Sequence, residues 1–229
     1  MKKSKKYIAA SKLVEAGKAY GLEEAVALVK TTSCTKFDST IDMSFSLNVN
    51  PTLADQLIRG TLVLPHGNGK TKKVLAVTMS KGDEAKAAGA DFVGGKEILE
   101  KIEKENWFDF DIIVATPDMM GELGKMGRVL GPKGLMPNPK SGTVSMNIGQ
   151  AVTEIKKGKI AYRVDKDGNL NISAARVSFS DADILDNMKA VCEAIVKSRP
   201  SSVKGVYVKN AVIHTTMGPG VGITFEGRN

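Results

Sequence analysis

The stretch VLAVTMSKGDEAKAAGADFVGGKEILEKIEKENWFDFDIIVA, residues 74–115, decides the fold of the middle of this chain. Three short apolar runs alternate in it with two helix-forming segments, in the order 74–78, 83–88, 92–93, 96–105 and 112–115. This alternation is typical of a parallel sheet covered by helices, because parallel strands are joined by long crossover connections. We therefore predict a small parallel α/β sheet here, which a helix around residues 148–157 closes.

The segments on both sides of this stretch have a different pattern of apolar and polar residues. Residues 41–49 alternate apolar and polar side chains, which predicts a strand with one buried face and one wet, polar face. Ser180 and Asp183 have a spacing similar to that of a capping box, which predicts a helix N-terminus. The apolar stripe that follows stops before Pro200. The other predicted elements are two helices within 8–30, a short helix at 54–58, a strand at 61–64, a hairpin of 160–164 with 170–177, and strands at 203–213 and 221–225.

These sequence patterns predict two domains, one of α+β class and one of α/β class. Residues 1–66 and 160–229, from both ends of the chain, form a split α+β domain, and residues 67–159 form an inserted α/β domain. Glycines occur in both segments that connect the two domains, and such residues tolerate a domain opening. We therefore predict a hinge at Gly67, Gly69 and Gly158.

Charge and composition limit the functions open to this chain of 229 residues. Its net charge of +8 favours a polyanionic binding partner. Cys34 and Cys192 lack CxxC spacing, which argues against a disulfide scaffold and a zinc site and favours a reducing compartment. No stretch has the length of a membrane span or the core of a signal peptide. These features predict a cytoplasmic protein without a metal.

Residues 121–140, GELGKMGRVLGPKGLMPNPK, contain five glycines, three prolines and four basic residues against a single acid. This composition excludes a strand or a long helix and suits close approach to phosphates. An ordered, solvated connection explains it equally well. The candidate phosphate contacts are Lys125, Arg128, Lys133 and Lys140.

A nucleotide-dependent enzyme is one alternative for the inserted domain. Gly69, Lys70 and Thr71 resemble the end of a phosphate-binding P-loop, but Leu64 stands where its first glycine is needed, and a strand pattern follows instead of a helix. No GxGxxG spacing joins a strand to a helix. We therefore predict no enzyme and no cofactor. An assembly protein that binds only other proteins is the other alternative.

Two further segments have the chemistry of RNA recognition. Residues 215–220, TTMGPG, follow a strand and offer hydroxyls that can bond a ribose, with glycines that let a backbone approach. Residues 36–40, KFDST, add a cation, an aromatic ring and hydroxyls just before the alternating strand. A plain turn explains the glycines and proline of the first segment equally well.

Residues 130–140, LGPKGLMPNPK, closely resemble the signature of the large-subunit ribosomal stalk protein family, the one numbered first among the proteins of that subunit. Similar family motifs stand across nearly the whole chain. They include residues 36–38, 64–67, 89–91, 204–207 and 215–218.

This resemblance implies a split first domain and an inserted, Rossmann-like three-layer second domain. It implies a structural constituent of the large ribosomal subunit, monomeric when free, that binds 23S ribosomal RNA at the mobile stalk. It also implies assistance in the release of deacylated tRNA from the exit site, and repression of the protein's own operon messenger through a similar RNA element.

The family's RNA surface lies on the first domain and carries over to nine residues here. They are Lys36, Phe37, Thr40, Asp165, Lys166, Thr215, Thr216, Met217 and Gly218. The basic residues of 121–140 then become secondary contacts to phosphate or tRNA. One position departs from the family pattern, because Val164 stands where an asparagine is expected.

Overall fold

The computed structural model describes residues 3–15, 17–53 and 55–225. Their α-helices are α1 (Lys5–Ser11), α2 (Leu22–Thr31), α3 (Gly82–Ala87), α4 (Lys96–Glu105), α5 (Met120–Lys125), α6 (Gly127–Leu130), α7 (Ile148–Lys156) and α8 (Asp181–Lys197). Their strands are β1 (Ala19–Tyr20), β2 (Thr40–Leu47), β3 (Arg59–Val63), β4 (Val74–Val77), β5 (Phe92–Gly94), β6 (Ile112–Ala115), β7 (Lys159–Arg163), β8 (Asn169–Arg176), β9 (Val208–Thr215) and β10 (Val221–Ile223). No helix in these ranges is long and apolar enough to cross a membrane.

The chain divides into two compact units. Unit one consists of Met1–Gly69 and Ile160–Asn229, and unit two of Lys70–Lys159. The structure is a mixed one of helices with several sheets, as the sequence predicted.

Unit one contains a five-stranded sheet in the order β1-β10-β9-β2-β8. The pairs within β10-β9-β2-β8 are antiparallel, and β1 pairs with β10 in parallel. Helices α2 and α8 pack against the sheet and each other. Helix α8 begins as predicted, because Ser180 Oγ accepts a hydrogen bond from the backbone N–H of Asp183 at 3.2 Å.

Alternation along β2 places the core of unit one. Ile41, Met43, Phe45 and Leu47 are buried, whereas the polar residues between them remain partly accessible. The buried stripe of α8, Ile184, Met188, Val191 and Ile195, belongs to the same apolar cluster. One face of the sheet is therefore covered, and the central strand presents polar side chains on the other.

The predicted hairpin of residues 160–164 with 170–177 is wrong. Strand β7 pairs with β3 in a separate two-stranded sheet, whereas β8 pairs with β2. The chain does turn between them, since the Asp165 N–H donates to Asn169 O at 2.8 Å. The ring of Tyr162 fits against Gly60, where a Cβ would lie 2.6 Å from the tyrosine Oη. Glycine at position 60 thus allows β7 to pack closely on β3.

Three other local predictions also differ from the structure, and one is the strand predicted at 203–213, since β9 begins only at Val208. The first helix spans Lys5–Ser11 and ends earlier than predicted. The described residues of the predicted helix at 54–58 form turns or irregular backbone, and Ala54 lies outside the described residues.

Unit two contains the predicted parallel sheet, in the order β5-β4-β6. Successive residues of β4 point into two different apolar clusters. Leu75 and Val77 belong to the cluster that includes Leu99 and Ile102 of α4. Val74 and Ala76 belong to the cluster that α3 and α7 complete. Helices therefore cover both faces of the sheet, in three layers.

The glycine-rich segment 121–140 is more helical than its composition suggested. It contains most of α5, all of α6, and the start of a 3-10 turn at Pro139–Ser141. Leu123 and Leu130 are fully buried and anchor the two short helices. Neither helix is long, as the composition required.

Candidate nucleic-acid interface

The start of β2 and the end of β9 come together at one end of the five-stranded sheet. The Thr40 N–H donates to Thr216 Oγ1 at 3.2 Å, and the Thr216 N–H donates to Thr40 O at 3.1 Å. Ile41 lies opposite Thr215 in the strand pairing. Residues 36–40 and 215–218, which we name the recognition edge, are thus held together by backbone and hydroxyl contacts.

A tight turn forms the second half of the recognition edge. The Gly218 N–H donates to Thr215 O at 2.9 Å, and Met217 adopts a positive φ of 68°. The Met217 side chain is 75% exposed. A Cβ at position 218 would overlap Thr215 Oγ1, so only glycine fits this turn as built. The turn presents a flexible thioether side chain to solvent.

Asp38 holds the first half of the edge in place. Its carboxylate accepts hydrogen bonds from the backbone N–H and the hydroxyl of Ser178, at 3.1 and 3.0 Å. Desolvation acts to raise the pKa of Asp38, but the Ser178 hydrogen bonds and the Arg176 guanidinium outweigh it and lower the pKa below its ordinary value. Asp38 is therefore ionised at neutral pH. The neighbouring Phe37 is 61% exposed.

Thr215 differs from its neighbours in the edge. It is 1% exposed, and its hydroxyl has no hydrogen-bond partner among the described residues. Its side chain is therefore turned away from solvent. Thr40 and Thr216 are partly exposed, and Lys36 is exposed.

Asp165 and Lys166 lie at the other end of the sheet. Thr40 pairs with Arg176 at one end of the β2–β8 ladder, and Ser46 pairs with Asn169 at the other. Six residues of extended strand separate these ends by about 20 Å. Both predicted residues are exposed in the turn before Asn169. Val164 is 3% exposed within the core, so its side chain is not available to a ligand.

A polar sheet face lies between the two ends, and its residues are not among the predicted site residues. Ser44 Oγ donates to Asn171 Oδ1 at 2.7 Å and lies 3.2 Å from His214 Nε2. Asp42 stands between His214 and Ser173 in the neighbouring strands. The alternation of β2 predicted a polar face. Local sequence patterns could not predict which strands pair with β2 and widen that face.

The four basic candidates of unit two are all exposed. Lys125 pairs with Glu122 at 2.8 Å, so its charge is partly compensated. Hydrogen bonds from Lys125 and then Lys96 lower the pKa of Glu122. The Lys133 ammonium lies 3.7 Å from the ring centroid of Phe108, a cation–π contact. Arg128 and Lys140 have no side-chain bond among those described.

The predicted hinge glycines all adopt positive φ, at 66° for Gly67, 68° for Gly69 and 97° for Gly158. Gly67 and Gly69 precede the point where the chain leaves unit one, and Gly158 precedes the return. A left-handed backbone is one that side chains disfavour, which accounts for glycine at these positions.

Comparison with known proteins matches this arrangement to a family. The profile of the family described as "Ribosomal protein L1p/L10e family" matches residues 28–219, which include both halves of the recognition edge. The chain belongs to this family. It is 54% identical over 218 residues to the large ribosomal subunit protein uL1 of Mesoplasma florum, covering 95% of this chain and 96% of that one.

Membership confirms the resemblance that residues 130–140 indicated. The family is a class of structural, non-enzymatic ribosomal proteins, so this chain is a protein of the ribosome and of translation.

Proposed function

We propose that this protein binds 23S ribosomal RNA at the mobile stalk of the large subunit through the recognition edge. The observation that carries the proposal is the pairing of Thr40 with Thr216 by two hydrogen bonds of 3.1 and 3.2 Å. This pairing joins two segments, distant in sequence, whose residues suit RNA. Family membership supports the same ligand.

The edge has the chemistry that folded RNA requires. Phe37 and Met217, 61% and 75% exposed, offer flat or soft surfaces to unstacked bases. Thr40 and Thr216 are partly exposed residues, and a threonine hydroxyl can bond a ribose 2′-OH or a base edge. Lys36 supplies phosphate attraction, and the net charge of +8 adds to it.

The interface extends along the polar sheet face to Asp165 and Lys166. The strand length of about 20 Å between the two ends matches several nucleotides of a folded RNA rather than a single base. Thr215 contributes to this interface through its backbone, since its side chain is buried.

Further roles rest on the family and on unit two. We propose that residues 1–66 with 160–229 form the RNA-binding domain, and residues 67–159 a second domain, with the hinge glycines between them. Lys125, Arg128, Lys133 and Lys140 then contact phosphate or exit-site tRNA and assist the release of deacylated tRNA. The same recognition edge would bind the protein's own operon messenger and repress its translation.

The test compares binding of 23S stalk fragments by the intact chain and by the double variant Thr216→Val with Met217→Ala. We expect the variant to lose specific binding in physiological salt, while Thr61→Val with Met146→Ala, which changes the same residue types elsewhere, binds normally. Unchanged affinity in the first variant would rule out the edge. RNA retention that does not depend on salt would instead favour a protein-only assembly role.

A further inference from the structure

Arg176 links the recognition edge to the segment where the chain leaves unit one. It is the last residue of β8, and it stands opposite Thr40 in the ladder. Its Nη1 lies 3.4 Å from both the backbone O and the Oδ2 of Asp38. The guanidinium therefore faces the one carboxylate of the recognition edge.

The stem of the same side chain packs against Gly69. A Cβ at position 69 would lie 2.8 Å from Arg176 Cδ and 3.1 Å from its Nε. The Nε–H is buried and has no hydrogen-bond partner among the described residues. Burying an unpaired donor is unfavourable, so something else must fix this side chain in place. The contacts in the structure that can do so are the packing on Gly69 and the pairing with Asp38.

A carboxylate within an RNA-binding edge needs a physical reason, because RNA phosphates repel it. Asp38 is held by donors from residues 176 and 178, far from it in sequence. It directly follows the exposed Lys36 and Phe37. Through Asp38, the guanidinium both offsets the negative charge and ties the loop to the end of β8.

We propose that Arg176 is a positioning residue for RNA binding, which holds Asp38 and thereby fixes Lys36 and Phe37 in the shape that the RNA recognises. The inference rests on the proposed function. It differs from a direct phosphate contact, because here the arginine acts on the protein and not on the ligand.

Salt dependence separates the two roles. We expect Arg176→Gln in the intact chain to weaken binding of a 23S stalk fragment about tenfold, as loss of a charge-assisted bond does. The slope of log affinity against log salt should stay as in the wild type, whereas loss of a direct phosphate contact lowers it by about one. A slope lowered in this way would overturn the proposal.

Asp38→Ala is a second test, because electrostatics and positioning predict opposite changes in RNA affinity. Removing a negative charge should strengthen RNA binding by electrostatics alone. Removing the carboxylate that holds the loop of Lys36 and Phe37 in place should weaken it. We expect weaker binding, and the double variant with Arg176→Gln should be no weaker than Asp38→Ala alone, since that single change already removes the side-chain contact with Arg176. Tighter binding by Asp38→Ala would overturn the proposal. Arg59→Gln, an exposed arginine of β3, serves as the charge-matched control and should bind normally.

A readout without RNA keeps this inference separate from the proposed function. The Ser178 amide donates to Asp38, so its hydrogen exchange in the free protein should be faster in Arg176→Gln, with an unchanged urea midpoint. Unchanged exchange would overturn the positioning role. If the wild type fails to bind stalk RNA, the proposed function falls, while the exchange experiment still reports on the anchor.

Discussion

Asn187, a fully buried residue of α8, donates a hydrogen bond from its Nδ2 to the backbone O of Gly67 at 2.9 Å. The same amide donates to Ala174 O at 3.0 Å, and its Oδ1 accepts from the His66 N–H at 3.1 Å. Three backbone groups from two segments are thus satisfied by one side chain. Gly67, predicted as a hinge residue, is therefore tied to the core of unit one.

Replacing Asn187 with leucine, which has a similar size, should destabilise the protein strongly. The change leaves two carbonyls and one N–H without their partner in the interior, and we expect a loss of about 2–4 kcal/mol in the free energy of unfolding. Urea unfolding measures it. Asn210→Ala, at an exposed position of β9, should change that energy by less than about 0.5 kcal/mol. A similarly small loss in Asn187→Leu would contradict this account.

Local patterns predicted the elements whose apolar residues repeat clearly. Helix α4 and strand β6 have the predicted bounds, and the alternation of β2 correctly gave its buried face. The partner of β7 was missed, because a turn at Gly168 has the same sequence whether the strands beside it pair or separate. Pairing depends on distant residues, here on Gly60, which admits the Tyr162 ring.

The candidate site was predictable to a similar degree. Family motifs pointed to Lys36 and Thr216, and the structure brings their segments together. The same motifs gave no sign that Asp165 lies about 20 Å away along the sheet, a distance that follows from strand register. Nor could they show that Arg176 faces Asp38, since that contact joins residues 138 positions apart.

Asp91 should give unit two an acid-sensitive contribution to stability. The Lys156 ammonium, and then the Val74 N–H, each at 2.7 Å, lower the pKa of Asp91 against a smaller opposing effect of desolvation. Because the folded-state pKa lies below the unfolded one, this stability is present above the unfolded pKa of about 3.9 and is lost as the pH falls through the folded pKa.

Unfolding of Asp91→Asn in urea between pH 3 and pH 6 tests this contribution. The wild type should be the more stable protein at pH 6, and the difference should shrink as the pH falls below the unfolded pKa of about 3.9 and toward the lower folded pKa. Asp55→Asn, at an exposed position, supplies the control for removing a charge. A difference that grows as the pH falls would have the wrong sign.

Cys192 should be chemically inert while the protein is folded. Burial, together with the charge of Glu193, raises the pKa of its thiol to about 11. At pH 8 the thiolate is then roughly 0.1% of the population, against about a quarter in an unfolded chain. We expect iodoacetamide to alkylate Cys192 at least about 100-fold more slowly in the native protein than in urea, as followed by peptide mass spectrometry. Equal rates in the two states would exclude this buried environment.

Gly218→Ala should damage RNA binding more than it damages the fold. The new Cβ would overlap Thr215 Oγ1 and stand 3.4 Å from Thr215 Cβ, so the turn must move and take Met217 with it. A shift of that kind at an exposed edge should raise the Kd for 23S stalk RNA about tenfold or more, equivalent to about 1.4 kcal/mol of lost binding energy. Gly124→Ala is the matched control, because a Cβ there meets nothing within 4 Å, and its affinity should equal that of the wild type. If Gly218→Ala binds stalk RNA as tightly as the control, with the same urea midpoint, the turn does not form part of the interface.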